Sequence, residues 1–235
     1  MTVSLKEDAL VLVTEDDGSL PVGAATRLGL YYHDTQFLSG LTLRLNGVAP
    51  ILLSANTEQN YVGTFQLTNA ATTLPGGTLL PAQSLSIRRT RFLADGWRER
   101  IGILNCNAQP VALRIELELE ATFRDMFAVR GYRSLRDSGR EVERGPIPSG
   151  LRFERLGRDG VRRTTDVTTV PAPDRVDGRT LVFETTLAPQ GLATLELLVV
   201  PREDGAGPDP APAGFDEALD ALNARYKRFL RSCAR

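Results

Sequence analysis

The sequence predicts an all-β fold, a large antiparallel β-sandwich followed by one C-terminal amphipathic helix, and three observations carry that prediction. Val111, Leu113, Ile115, Leu117, Leu119, Ala121 and Phe123 fall on one parity while Arg114, Glu116, Glu118 and Glu120 fall on the other, the period of a strand packed on one face and wet on the other. Short runs of the same kind recur between turn signals such as Asn46-Gly47 and Asp95-Gly96, as in a series of hairpins. Helical spacing appears only at the end, where Phe215, Leu219, Leu222, Tyr226 and Phe229 share a face, with Asp216 and Glu217 in the first turn and Lys227, Arg228 and Arg231 near the last, as the helix dipole favours.

A chain of 235 residues is long enough to close one large sandwich. A formal net charge of -1 supplies no field to hold nucleic acid or an anionic membrane. Cys106 and Cys233 are too few for a disulfide scaffold or a metal centre. The first residues, Met1 to Asp8, lack a secretory signal, and no apolar run is long enough to span a bilayer. The expectation is a cytoplasmic protein with no cofactor and no metal.

In chain order, Ala9 to Thr14 is an apolar run ending at Glu15-Asp16-Asp17-Gly18-Ser19, a turn that leads to Leu20–Val22. Two acids before a glycine fall short of a calcium loop, which needs a longer series of oxygen ligands. Gly29 to Ser39 packs Tyr31, Tyr32, His33, Asp34, Gln36 and Phe37 into one stretch. Leu41, Leu43 and Leu45 form the next strand, and Asn46-Gly47 predicts a hairpin to a returning strand over Pro50–Ser54. Asn60–Thr68 is a strand and Thr72–Pro81 a loop. Leu85 and Ile87 open a strand whose Phe92 has the wrong parity, which predicts a bulge or a change of sheet. Trp97 to Cys106 pairs back with Trp97, Ile101 and Ile103 inward.

Arg133 to Gly150 reads as a charged surface excursion. Leu151 and Phe153, then Val161–Val170, begin a new sheet segment. Leu181–Leu187 and Leu192–Val200 read as a final pair, with Leu198 and Val200 implying a strand covered on both faces. The expected division is a sandwich over 1–202, a Gly/Pro linker over 203–214 and a helix over 215–235, packed on the sandwich or leading away from it.

Few residues invite chemistry. His33 is the only histidine, and an adjacent Asp34 orients an imidazole only if the backbone turns there. No nucleophile is identified for a triad. Glu116, Glu118 and Glu120 resemble the carboxylate pair of a glycosidase, which needs a separation of about 5–10 Å, yet acids on the polar parity of a strand describe a wet face equally well, opposed by arginines such as Arg98 and Arg100. Arg88, Arg89, Arg91, Arg98 and Arg100 read as surface or interdomain salt links. Asp125 and Arg130 bracket Met126-Phe127, either as a buried pair that pins a strand end or as a docking site on the surface.

Gly29-Leu30-Tyr31, Asp34-Thr35-Gln36-Phe37-Leu38-Ser39, Leu45-Asn46-Gly47, Leu52-Leu53-Ser54, Asp95-Gly96-Trp97-Arg98-Glu99-Arg100-Ile101 and Phe123 to Gly131 together resemble the N-terminal domain of bacterial and archaeal glycogen-debranching-type enzymes, the amylo-alpha-1,6-glucosidase-like glycoside hydrolases. Gln36 and Arg124 depart from that family's usual arginine and alanine. The resemblance implies a supersandwich-like β domain placed ahead of an (α/α) toroid that holds the catalytic acids. It implies full-length relatives that are α-1,6-glucosidases, and no catalytic residue to carry onto this chain. The partner it implies is a glycoside hydrolase catalytic domain, in cis or trans, with α-glucan as a further contact. Tyr31, Tyr32, His33, Asp34, Gln36, Trp97, Asp125 and Arg130 are the candidate interdomain or glycan contacts. Alternatives are a self-contained carbohydrate-binding module using Tyr31, Tyr32 or Trp97, a structural or homo-oligomeric β domain, and an enzyme acting through His33.

Overall fold

The computed structural model describes residues 2–24, 26–59, 61–74, 77–132, 141–210 and 214–233. The chain opens with β1 (Thr2–Glu7) and β2 (Leu10–Glu15), then the hairpin β3 (Gly29–Tyr32) and β4 (Thr35–Leu38), then β5 (Gly40–Leu45). A second hairpin, β6 (Ile51–Gln59) and β7 (Val62–Thr68), precedes the two-residue ribbon β8 (Thr72–Thr73) and β9 (Leu79–Leu80). There follow β10 (Leu85–Leu93), β11 (Trp97–Asn105), β12 (Val111–Glu120), β13 (Arg124–Asp125) and the single turn α1 (Met126–Val129). The remainder is β14 (Glu143–Ile147), β15 (Gly150–Leu156), β16 (Arg162–Val170), β17 (Arg175–Asp177), β18 (Thr180–Leu187), β19 (Leu192–Glu203) and α2 (Phe215–Cys233).

One layer is an eight-stranded sheet, β14-β15-β16-β19-β11-β10-β7-β6. Facing it are a five-stranded sheet, β1-β2-β3-β4-β13, and a four-stranded one, β17-β18-β12-β5. These two are tied by Ser39 N–H donating to the Glu120 carbonyl at 2.7 Å and by the Leu20–Leu41 bridge. All pairings are antiparallel. A single apolar core draws on all three sheets, from Leu12 and Phe37 through Leu117 and Phe183 to Ile101 and Val199, which is the arrangement of a sandwich. The alternation in β12 performs as its sequence implies, with Val111, Leu113, Ile115, Leu117 and Leu119 buried and β18 and β5 on either side.

Several local expectations change. Asn46-Gly47 does turn, with φ of 50° and 80°, but β5 pairs with β12 while β6 pairs with β7. Asn46 is instead tied to β12, its side-chain oxygen accepting from Arg114 N–H at 2.9 Å, so the turn carries the chain from one layer to the other. Likewise β18 and β19 lie in different sheets rather than pairing with each other. Residues 133–140 of the expected excursion lie outside the described residues. Its end forms β14, an edge strand paired with β15 and carrying Glu143, Arg144 and Pro146, groups that blunt an exposed edge. The 72–81 loop contains the small β8–β9 ribbon. Thr2–Glu7, not among the expected strands, pairs along its whole length with β2.

No bulge interrupts the pairing of β10 with β11 or with β7. Phe92 points outward from the core because α2 covers it there: the Phe92 and Phe215 rings meet edge to face at 5.0 Å, and Leu222 completes this second small cluster. The helix is held farther along by Tyr61 stacked on Tyr226 at 3.8 Å, by Tyr61 Oη donating to Asn223 at 3.2 Å, and by Tyr226 Oη and Arg225 on the buried Glu7 carboxylate. Tyr226→Phe removes one charge-assisted hydrogen bond and should cost about 1–3 kcal/mol, read as a lower midpoint in urea unfolding. An unchanged midpoint would mean that Arg225 alone satisfies Glu7.

Candidate functional site

Most of the singled-out residues converge on one corner of the five-stranded sheet, where the β3–β4 hairpin meets β13 and α1. Gly29 starts the hairpin at φ +151°, and a Cβ there would lie 2.6 Å from the Leu38 carbonyl oxygen, so only glycine permits the close approach. Tyr31 is buried, its Oη donating to the Arg27 carbonyl at 2.8 Å. Gln36 is buried beside it, donating to the Leu28 carbonyl at 2.6 Å and accepting from Thr122 Oγ1 at 2.7 Å. Burial raises the Tyr31 phenol above its ordinary pKa, opposed by the Gln36 hydrogen bond and by Arg124, Arg130 and Arg27, which places three guanidinium groups around this corner.

The backbone turns at His33, whose φ is 49°, and the Asp34 carbonyl accepts the Met126 N–H at 2.8 Å. The imidazole is 55% exposed with Nδ1 3.4 Å from Glu203 Oε2, and its ring lies 4.1 Å from that of Tyr32. Tyr32 in turn meets Phe37 edge to face at 5.8 Å. Among the described residues the hydrogen-bond partner of the His33 ring is Glu203, with no hydroxyl or thiol bonded to the imidazole as an activated nucleophile would be. The β12 carboxylates are occupied: Glu116 pairs with Arg114, and Glu118 and Glu120 with Arg179. Arg98 and Arg100 turn elsewhere, to Asp95 and to Glu196 and Asp216.

Phe123 leads into the loop at φ 49°, an unusual conformation for an aromatic residue, and is buried edge to face against Phe37 at 5.5 Å. Asp125 is buried and accepts the Ala128 N–H at 2.8 Å, capping α1. Arg124 donates to the Ala128 carbonyl at 2.6 Å. Arg130 is exposed, so Asp125 and Arg130 are not buried together, as one of the two sequence alternatives required. What this frame presents is Phe127 and Tyr132, 63% and 67% exposed, beside Arg130. Tyr132 is absent from the residues singled out by sequence; its position next to the Arg130-Gly131 turn is the signal that points to it.

Trp97 does not belong to the corner. It is fully buried under Arg91, whose guanidinium lies 5.1 Å from the indole ring, so the indole is core and not a presented face. Arg89, Arg91 and Glu99 are core residues as well, not surface links. The Glu99 carboxylate accepts from Arg89 Nε at 2.6 Å and from Arg91 Nη2 at 3.0 Å. Burial pulls Arg91 down to about 10, with Glu99 acting in the opposite direction. Among the described residues no group of acidic, histidine or cysteine side chains is arranged to hold a metal ion, and no helix is long and apolar enough to cross a membrane.

The architecture defines an all-β sandwich domain with a C-terminal helix laid on one sheet. The chain belongs to the family described as the N-terminal domain of (some) glycogen debranching enzymes, which matches residues 5–198. No curated protein matches it. Among solved structures, a putative kojibiose phosphorylase from human microbiome superposes with a TM-score of 0.56 at 14% identity, over 95% of this chain and 33% of that one. The chain therefore spans about a third of that protein's length. Galactose mutarotase-like proteins from Clostridium acetobutylicum and Lactobacillus casei align with TM-scores of 0.44 and identities of 6% and 10%, over 85% and 86% of this chain and 94% and 100% of theirs.

Proposed function

We propose that this chain is a non-catalytic accessory domain of a debranching-type glycoside hydrolase. It packs against a catalytic domain through the corner built by the β3–β4 hairpin and the β13–α1 loop, and it brings α-glucan within that enzyme's reach. The observation that carries the reading is the pairing of exposed Phe127 and Tyr132 with a frame whose supporting groups, Gln36, Phe123 and Asp125, are buried. Large aromatic side chains and arginine held on a preorganised surface are the residues that dominate protein interfaces. Arg130 is bonded through its backbone N–H to the Phe127 carbonyl and Asp34 through its own carbonyl to the Met126 N–H, and family membership supplies the kind of partner.

Titrating the chain calorimetrically with a glycogen-debranching-type catalytic domain tests this. Phe127→Ala combined with Tyr132→Ala should weaken docking by about 2 kcal/mol or more while leaving the melting temperature in place, since both side chains are exposed. Equal binding by the double variant would remove the corner from the account.

A further inference from the structure

The outer face of the eight-stranded sheet carries a groove of about 650 Å³, away from the corner, bounded on one side by the start of α2. Its floor centres on Gly102, which lies opposite Arg88 in β10 and Thr194 in β19. A glycine in the middle of a fully paired central strand lowers sheet stability and often marks the close approach of a ligand or another backbone. Neither conformation nor packing demands it: a Cβ at Gly102 would meet only the Leu192 side chain at 3.7 Å and the Arg88 carbonyl at 4.0 Å, both ordinary contacts. The missing side chain leaves an open floor.

We propose that this groove binds a linear oligosaccharide, which rests on the accessory-domain reading above and adds a site to it. The lining fits that ligand class. Ser86, Thr90 and Thr194 offer hydroxyls, and Arg88 is exposed with no ion-pair partner among the described residues, its guanidinium free to bond paired hydroxyls. Leu104, Leu192, Phe215 and Leu219 make up the apolar part of the lining, and Leu192, 64% exposed, offers apolar surface to a pyranose face. Arg100, by contrast, is engaged by Glu196 and Asp216, which fixes the α2 wall. The volume falls within the range of about 300–1,000 Å³ typical of ligand clefts. A peptide strand fits less well: the strands beneath are paired on both edges, leaving no ladder to extend.

The test is calorimetric titration of the whole chain with maltoheptaose. Gly102→Leu fills the floor from a position with space for it, so the melting temperature should stay level or rise while the dissociation constant rises about tenfold or more. Arg88→Ala should weaken binding in the same direction. Wild type that gives no heat with maltoheptaose, unchanged binding by Gly102→Leu, or heat with a polyglutamate peptide in place of the sugar would each overturn the assignment. None of these outcomes alters docking through Phe127 and Tyr132, which the double variant judges separately.

Discussion

Glu99→Gln should destabilise the domain by about 3–5 kcal/mol, the largest effect expected of any single polar substitution. The carboxylate is fully buried and is the acceptor for two guanidinium groups, with Arg89 2% and Arg91 0% exposed. Glutamine keeps the shape and removes the negative charge in contact with them. Other donors in the cluster, Arg89 Nη2, Arg91 Nε and Nη1 and Trp97 Nε1, have no described protein acceptor, so little else is placed to compensate. The aromatic faces of Phe65 and Trp97, 4.8 and 5.1 Å from the Arg91 guanidinium, offset only about 1–2 kcal/mol of a desolvated cation. Replacing the whole trio with apolar residues of similar volume should instead be neutral or stabilising. Urea unfolding of both variants checks the pair of statements. A Glu99→Gln loss under about 1 kcal/mol would mean that the two arginines are not held by that carboxylate.

Gly29→Ala should cost about 2–5 kcal/mol, the sum of a strained backbone and an overpacked contact. At φ +151° the new Cβ would lie 2.6 Å from the Leu38 carbonyl oxygen and 3.0 Å from the Gln36 side chain. Backbone has to move, and Gln36 moves with it. Because Gln36 links Leu28, Tyr31 and Thr122, the disturbance reaches the corner, and docking to a catalytic domain should weaken beyond what stability alone explains. Urea unfolding together with the docking titration reads both effects. A variant as stable as wild type would show that β3 tolerates a side chain where the geometry leaves no room.

The sequence exposes its strands more readily than their partners. The alternation in 111–123 defines β12 because period-two burial is local, whereas the neighbours of β12, β18 and β5, are set by the long-range folding of the two layers. Asn46-Gly47 illustrates the difference: its residues specify the turn but not the sheet that receives the next strand. Phe92 is the converse, an off-parity aromatic whose cause, the cover of α2, lies more than a hundred residues away. The buried ion cluster was within reach, since Arg89 and Arg91 share the parity of Leu85 and Ile87, and Glu99 that of Trp97 and Ile101. Charge in a strand suggests solvent, and in this case register outweighs it. At the corner, Gly29, the turn at His33 and the Asp125 cap follow from residue type, but which of those residues are frame and which are surface depends on burial. Tyr31, Gln36 and Asp125 became frame, and Phe127 and Tyr132 became surface.

The most direct measurement of the central claim is glycogen turnover by a debranching-type catalytic domain with and without this chain, alongside the chain alone. The account predicts no sugar released by the chain alone, and turnover raised by the wild-type chain but not by the Phe127→Ala, Tyr132→Ala variant. Release of sugar by the chain alone, or equal turnover with either form, would contradict it.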